Sequence, residues 1–502
     1  MNVAYCVFRN LRTPHHAPRT TQHVTRNTHH APRNTKHETT IMTNWTNTHV
    51  LILGAARQGI ALARWLSRHG SHVTLSDSRT ADELASARAS LADTNVEWAV
   101  GAHPLDLLNH TDVLCLSGGV PLTLPIVQEA IKRGIPLSND TQIFMEVAPC
   151  KTIGITGSAG KTTTTTLVGE MAKQHYATSN TQHAFVGGNI GDPLINYVDD
   201  MKADDLAILE ISSFQLEQMT ISPNISAILN ITPNHLDRHG TMEAYTNAKA
   251  RILEFQNEKD TAVLSHDDKG AWSLRNKVKG NLLTFSLHDL EEGLNGAYLH
   301  DGLLNLRDGN AYLPLILREK IQLRGDHNVS NVLAAFTIGH AAGFKLDDML
   351  EAVEEFRGVP HRLELVRELH GVRWYNDSIA TAPERSMADI NAFDEPIVLM
   401  LGGRDKDLPW DEIAKLIHKR VDHVVLFGEA AEIIEKAVST VGGERSVDLH
   451  RVKNLNEAVV KAAQVASAGD IVLFSPGGTS YDEFKDFAER GEAFRKWVLE
   501  LS

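Results

Sequence analysis

A chain of 502 residues exceeds what one hydrophobic core organises, so roughly two to four domains are expected. Its 42% hydrophobic and 22% charged content is that of a globular protein, and a net charge of −14 argues against non-specific nucleic-acid binding while leaving room for a local phosphate site. Three scattered cysteines, Cys6, Cys115 and Cys150, show neither metal spacing nor pairing logic, and no apolar run approaches the roughly 18 residues of a membrane helix. No secretory signal core is visible, so a reducing, cytoplasmic location without membrane insertion is expected.

Residues 1–45 are rich in His, Thr, Arg and Asn, and His15-His-Ala-Pro-Arg19 recurs as His29-His-Ala-Pro-Arg33. Such a composition buries no core. A dispensable disordered extension, or an upstream start with Met42 as the true first residue, is expected ahead of a histidine metal site.

Residues 46–148 read as one small α/β domain. Val50–Leu53 is a strand, Gly54-Ala-Ala-Arg-Gln-Gly59 a turn, residues 60–69 a helix and His72–Ser76 the next strand. The turn resembles a dinucleotide fingerprint with an acid, Asp77, about twenty residues on. Ala56 stands where close backbone approach to a pyrophosphate wants glycine, so a nucleotide diphosphate held less deeply fits better than NAD. Asp77-Ser-Arg79 places an acid and an arginine where ribose and phosphate would lie. Val113–Leu116 runs into the turn Ser117-Gly-Gly-Val-Pro121, and Gly134-Ile-Pro-Leu137 reads as an edge strand.

Residues 149–358 form the central domain. Lys151–Ile155 is a β-branched strand, Thr156-Gly-Ser-Ala-Gly-Lys-Thr162 a glycine turn, and Leu167–Ala172 a helix. This is a phosphate-cradling arrangement. Gly157 and Gly160 free the backbone N–H groups of Ser158, Ala159 and Thr163 to face phosphate oxygens, Lys161 reaches the terminal phosphates, and the Thr162 hydroxyl suits Mg²⁺. Ile155 occupies the place of the usual first glycine. Phe185–Gly191 is a second glycine loop centred on Asn189. Asp205–Glu210 is an apolar strand ending in a carboxylate, where a parallel sheet puts a Mg²⁺ ligand. Ile225–Ile231 is a strand emptying into Thr232–Gly240, which carries His235 and Asp237. By spacing alone Lys249 is a helix-surface lysine. Gly325-Asp-His-Asn328 opens a helix over 329–342 that Asn328 caps, unless it holds a base.

Residues 359–502 begin with a hinge at Val359–Glu364. Arg373–Asp377, Ile397–Leu401, His423–Phe427 and Asp470–Phe474 are strands of a second doubly wound sheet, each ending in a ligand-ready loop: Asp377–Thr381, Gly402–Lys406, Gly428-Glu429 and Ser475–Ser480. The Ser480 loop is expected to open a helix through Phe484.

Three α/β domains, Rossmann-like, P-loop ATPase-like with a parallel sheet, and doubly wound, resemble the Mur ligase family over roughly residues 48–500. The motifs carrying the resemblance are Thr156-Gly-Ser-Ala-Gly-Lys-Thr-Thr, Gly187-Gly-Asn-Ile-Gly, Glu210-Ile-Ser-Ser-Phe-Gln-Leu, Asn234-His-Leu-Asp-Arg, Gly325-Asp-His-Asn, His361-Arg362, Asn376-Asp-Ser and Ser475-Pro with Ser480-Tyr-Asp-Glu-Phe. The resemblance is to the glutamate-adding branch and implies an ATP-dependent ligase of peptidoglycan synthesis, acting as a monomer on UDP-N-acetylmuramoyl-L-alanine, D-glutamate and ATP with two Mg²⁺ ions. It implies that Lys161, Thr162, Asn328, Arg362 and Asp377 bind ATP, and that Glu210, His235 and a carbamylated Lys249 hold a second Mg²⁺. Arg57, Gln58, Asp77, Ser78, Arg79, Ser117, Gly118 and Asn189 would bind the UDP substrate. Thr381, Lys406, Ser480, Tyr481 and Phe487 would form the glutamate pocket. Ile379 departs from the pattern, since many members of this branch carry lysine there. L-glutamate, a folylpolyglutamate-type or other sister ligase, a P-loop regulatory ATPase and an NAD-dependent dehydrogenase are the rival readings.

Overall fold

The computed structural model describes residues 44–179, 181–406, 408–442 and 445–502, and the backbone alone at Asp237. The extension assigned to residues 1–45, with Met42, lies outside them except at its last two positions.

The first sheet is wholly parallel. Strands β1 (His49–Leu53), β2 (His72–Asp77), β3 (Glu97–Val100), β4 (Val113–Leu116) and β5 (Leu137–Ser138) lie in the order β3-β2-β1-β4-β5. Apolar runs such as Val50–Leu53 are buried throughout because helices cover both faces. Gly134 is not in the edge strand. It adopts φ 74° as the left-handed cap of the helix Pro125–Arg133, and the short edge strand starts three residues later.

The second sheet has nine strands: β6 (Lys151–Thr156), β7 (Ala184–Gly188), β8 (Leu206–Glu210), β9 (Ile225–Ile228), β10 (Thr261–Ser265), β11 (Asn281–Ser286), β12 (Gly296–His300), β13 (Leu303–Asp308) and β14 (Ala311–Leu317). Their order is β14-β13-β12-β11-β10-β9-β6-β8-β7, so the strand feeding the phosphate loop sits between those carrying Glu210 and Asn230 at their ends. Strands β12 to β14 are an antiparallel extension that motif reading did not anticipate. β9 stops at Ile228, short of the expected Ile231, because the Leu229 N–H turns to the Thr156 carbonyl and Asn230 to the phosphate loop.

The third sheet orders β15 (Glu364–Leu369), β16 (Val372–Asn376), β17 (Ile397–Gly402), β18 (Val421–Phe427), β19 (Asp448–Arg451) and β20 (Ile471–Gly477) as β15-β16-β20-β17-β18-β19. Only β15 runs antiparallel, and the loops after β16, β20 and β17 share one edge.

One apolar core is continuous across the first two sheets, joining Trp65, Ile143 and Phe144 to Leu194, Ile195 and Val198. The Trp65 indole N–H also donates to Asp199 at 3.1 Å. Trp45 belongs to this core at 4% exposure, and its carbonyl accepts from Ser71 Oγ at 2.7 Å. The boundary at residue 46 therefore falls late. Trp45→Ala is expected to cost about 3 kcal/mol or more, the usual loss for a truncated core aromatic, read as a lowered melting temperature; unchanged melting would remove Trp45 from the core.

Candidate active site

The phosphate loop leaves β6 at Thr156 and enters the helix Lys161–Tyr176 at Gly160, whose φ of 80° suits glycine. A Cβ there would also meet Asn331 Oδ1 at 2.2 Å. Asn230, unmarked by any motif, clamps the loop: its Oδ1 accepts from Ala159 N–H at 2.8 Å, and its Nδ2 donates to the Ala159 carbonyl at 3.1 Å. Ser158 Oγ donates to the Thr232 carbonyl at 2.9 Å and lies 3.0 Å from the Tyr245 hydroxyl.

Glu210, 2% exposed, is gripped from two sides. Thr162 Oγ1 donates to one carboxylate oxygen and Asn189 Nδ2 to the other, each at 2.8 Å. The Asn189 N–H holds the Glu210 carbonyl at 2.8 Å. The two glycine loops and the β8 carboxylate thus form one unit, as the motif spacing anticipates. The Thr162 hydroxyl beside the Glu210 carboxylate offers the hard oxygen donors Mg²⁺ takes.

Lys249 is not on the helix surface. It is 1% exposed, and its Nζ donates to the Gly157 carbonyl at 2.9 Å and to Thr156 Oγ1 at 3.3 Å. Lys161 Nζ donates to the same Gly157 carbonyl, also at 2.9 Å. Burial, with Lys161 adding to it and Glu210 opposing, brings Lys249 down to about 7. Burial likewise lowers Lys161, with Glu210 opposing and Arg362 from the third domain adding to the fall.

His235 stands at φ 53° as the exposed start of the short helix Leu236–His239, its ring edge-on to Phe214 with centroids 5.2 Å apart. Among the described residues, no group of three or more His, Cys, Asp or Glu side chains converges as a metal site. A second ion at Glu210, His235 and Lys249 would therefore need a further carboxylate.

At the carboxyl edge of the first sheet, Asp77 accepts from Ala55 N–H at 2.8 Å and from the Arg79 guanidinium at 2.8 and 3.0 Å. Those Arg79 bonds hold its carboxyl far below the usual range against burial. Ser117 Oγ donates to the Gly54 carbonyl at 2.8 Å, and Ser117 and Gly118 border a crevice shared with Phe214 and Arg238 of the second domain. Gln58 reaches the Gly188 carbonyl at 3.5 Å, while Arg57 and Ser78 are exposed.

A cavity of about 700 Å³ separates the second and third domains. Ala159, Gly160, Thr163, Asn328 and Asn331 line one side, and Arg362, Asp377, Ile379, Arg385 and Asp389 the other. Ile379 thus faces the same cavity as the phosphate loop, and Thr381, Lys406 and Ser480 do not line it. Asn328 is not the helix cap. Gly325 caps the helix Asp326–Ala342, and Asn328 Nδ2 donates back to the Arg324 carbonyl at 2.7 Å. Arg324 crosses the cleft to Glu395 at 2.8 Å, and Arg373 meets the same carboxylate at 2.7 Å.

In the third domain Lys406 Nζ donates to Thr381 Oγ1 at 3.3 Å, Ser480 is buried, and Tyr481 and Phe487 are 62% and 37% exposed. The expected helix from Ser480 is absent. The residues after it form turns, and the helix begins at Phe487 with Asp486 as its cap. No helix N-terminus supports an anion at Ser480. Sequence reasoning also missed Arg490, fully buried, whose guanidinium ties the carbonyls of Ser378 and Gly478 at 2.8 and 3.1 Å and so fixes both ligand loops.

Family models match along the chain: the MurD-like N-terminal domain of Mur ligases over residues 48–139, the Mur ligase middle domain over 155–339 and the Mur ligase glutamate ligase domain over 361–478. Curated relatives include the UDP-N-acetylmuramoylalanine–D-glutamate ligases of Symbiobacterium thermophilum, 38% identical over 90% of this chain and 98% of the relative, and Acidobacterium capsulatum, 39% identical over 90% and 96%. Among solved structures, the UDP-N-acetylmuramate–alanine ligase of Thermotoga maritima superposes with a TM-score of 0.51 at 20% identity, over 90% of this chain and 99% of that one. With all three domains matched in order and the relatives covered almost end to end, the chain belongs to the Mur ligase family.

Proposed function

We propose that the protein joins D-glutamate to UDP-N-acetylmuramoyl-L-alanine in an ATP-driven step of peptidoglycan synthesis, as a monomer in the cytoplasm. The observation that carries this reading is the cavity in which Ala159, Gly160 and Thr163 of the phosphate loop face Arg362 and Asp377 across two domains, with Lys161, Thr162 and Glu210 gathered at that loop. The relatives' shared name supports D-glutamate over its enantiomer. Ile379 lines the cavity shared with the phosphate loop, which supports an amino-acid pocket built from Thr381, Lys406 and Ser480 without it. Among the described residues, no helix is long and apolar enough to cross a membrane.

The chemistry follows from the groups present. The acceptor carboxylate attacks the γ-phosphorus of ATP, the bond to the β-phosphate oxygen breaks, and ADP leaves an acyl phosphate. The amino group of glutamate then attacks the acyl carbon, inorganic phosphate departs and a proton is lost. Mg²⁺ at Thr162 and Glu210 would neutralise charge on the phosphates. Lys161 and the loop N–H groups orient the transferred phosphoryl, and Arg362 adds charge from the far wall. Asp77 and Arg79, with Ser117 and Asn189, would hold the UDP substrate so that its carboxylate meets the loop. Lys406, Thr381 and Ser480 would hold glutamate. Closure of the third domain would exclude water from the acyl phosphate. The reaction is tested by ATP-dependent phosphate release across UDP-muramoyl acceptors and D- or L-amino acids. Release only with UDP-N-acetylmuramoyl-L-alanine and D-glutamate is expected, and turnover with a diamino acid or dipeptide instead would move the protein to a sister branch.

The burial of Lys249 supports its carbamylation. Held near 7 by burial, its amine is about half neutral at neutral pH and progressively more so above it. The neutral nitrogen attacks carbon dioxide, loses a proton and becomes a carboxylate-like group, the donor a second Mg²⁺ at Glu210 and His235 would need. Lys249→Ala should lose activity and regain part of it with short carboxylic acids. No rescue, together with an unmodified lysine in the intact-mass spectrum, would sink the assignment.

Lys406→Ala should raise the KM for D-glutamate about ten- to a hundredfold, the loss of one charge-assisted hydrogen bond, and leave the KM for ATP within about threefold. Equal effects on both would place Lys406 at the nucleotide instead.

A further inference from the structure

Asp377 stands at the exit of β16 and Asp389 in the last turn of the helix Pro383–Ile390, 4% and 7% exposed, on the wall of the nucleotide cavity. Their carboxyl groups hydrogen-bond each other. Two carboxylates cannot do this: one oxygen must carry a proton. Ser475 Oγ donates to Asp389 Oδ2 at 2.6 Å, and Ser386 Oγ, 2.9 Å from Ser475 Oγ, donates to the Ser475 carbonyl at 2.9 Å. Asp389 thus accepts from Ser475, and because the shared bond raises Asp377 and lowers Asp389 the bridging proton is assigned to Asp377. The other oxygen of Asp377, Oδ1, accepts the Leu363 N–H at 2.8 Å. Leu363 and His361 adopt φ of 42° and 62°, conformations uncommon outside glycine. They flank Arg362, so the bond from Leu363 to Asp377 fixes the linker that aims Arg362 at the cavity.

We propose that Asp389 is a positioning residue for the nucleotide: by accepting the Asp377 proton it fixes the orientation and net charge of the carboxyl that faces ATP and, through Leu363, the course of the Arg362 linker. This deepens the reading of Asp377 and Arg362 as nucleotide contacts and rests on it. The sequence motifs do not mark Asp389, which lies twelve residues beyond Asp377 on a different element.

The charged groups facing the pair are Arg362 on the linker and Arg385, one turn earlier on Asp389's own helix; the β20 side offers only the neutral Ser475. Burial raises both carboxyls, Asp377 well above the usual carboxylate range, and the two arginines only partly offset it. A carboxyl with a raised value is neutral below it. With the bridging proton in place and Asp389 ionised, the pair carries one negative charge. As pH climbs past the upper titration it takes a second, which repels the polyphosphate and breaks the bridge.

The test compares the wild-type enzyme with Asp389→Asn, which keeps the size and gives Asp377 a donor but cannot ionise. The wild-type KM for ATP should rise roughly tenfold as pH passes through loss of the bridging proton, the effect of one added charge near a polyanion, with kcat little changed, whereas Asp389→Asn should stay within about twofold over the same range. The same pH dependence in both proteins, rising or flat, overturns the proposal. Calorimetry of ADP binding to the wild-type enzyme in buffers of differing ionisation enthalpy supplies an answer even where the variant does not fold. Proton uptake at alkaline pH is expected, and none overturns it. Asp377→Ala separates the two levels. If it leaves the KM for ATP unchanged, the underlying reading of Asp377 falls. If it raises that KM while Asp389→Asn titrates like wild type, only the role of Asp389 falls.

Discussion

Two lysine side chains share one carbonyl oxygen. Lys161 and Lys249 both donate to Gly157 at 2.9 Å, one from the phosphate-loop helix and one from the helix Met242–Glu254. Two adjacent ammonium groups repel, and the carboxylate that opposes this at both lysines is Glu210. Burial lowers both lysines, and Lys161 adds to the fall at Lys249. The repulsion is relieved when phosphate enters beside Lys161, or when the Lys249 nitrogen gives up its positive charge. The geometry is therefore tuned toward an anion. The sheet makes it possible: β6 lies between β8 and β9, so Glu210 and Asn230 reach the loop from either side and the helix carrying Lys249 packs beneath it.

The phosphate loop was legible in the sequence because its parts are consecutive: a strand, two glycines, a lysine, a threonine and a helix are neighbours in the chain before they are neighbours in space. Glu210 was legible for a related reason, since strand-end logic places it on the loop edge of a parallel sheet, whereas Asn189 was marked only by its glycine loop and by the family resemblance. Lys249 was not legible. Helical periodicity gives a face but not what the face meets, and a lysine between alanines looks solvated until the loop packs on it. Asn230 and Asp389 belong to the same class, each defined by a partner on another element that no spacing reveals.

The misplaced helix at Ser480 shows two local signals in competition. Ser480 and Glu483 have the spacing of a capping box, and the turn does form, with the N–H groups of Glu483 and Phe484 bonded to the Ser480 carbonyl. The Glu483 carboxylate is drawn instead to the Leu455 N–H, and Asp482 to the N–H of Glu429. Asp486, with Glu489 three residues on, makes the cap that holds, accepting the Glu489 N–H at 2.8 Å. Tertiary partners remove the first box and leave the second. Tyr481 consequently lies on exposed turns and Phe487 at the start of the next helix, rather than both along one helix.

The same division of labour organises the cleft. The second domain brings a phosphate grip whose donors are mostly backbone and whose shape is fixed by glycine and by Asn230. The third domain brings charge on side chains, and each is held by something behind it: Arg362 by the Leu363 to Asp377 bond, Asp377 by Asp389, and the two ligand loops by the buried Arg490. Arg324 and Glu395 join the walls at the far side of the cavity, where the guanidinium also lies over the rings of Tyr375 and Phe393. A rigid anion cradle facing a wall of side chains held from behind suits a reaction in which the phosphoryl donor must be fixed first and the charge completed only when the domains meet.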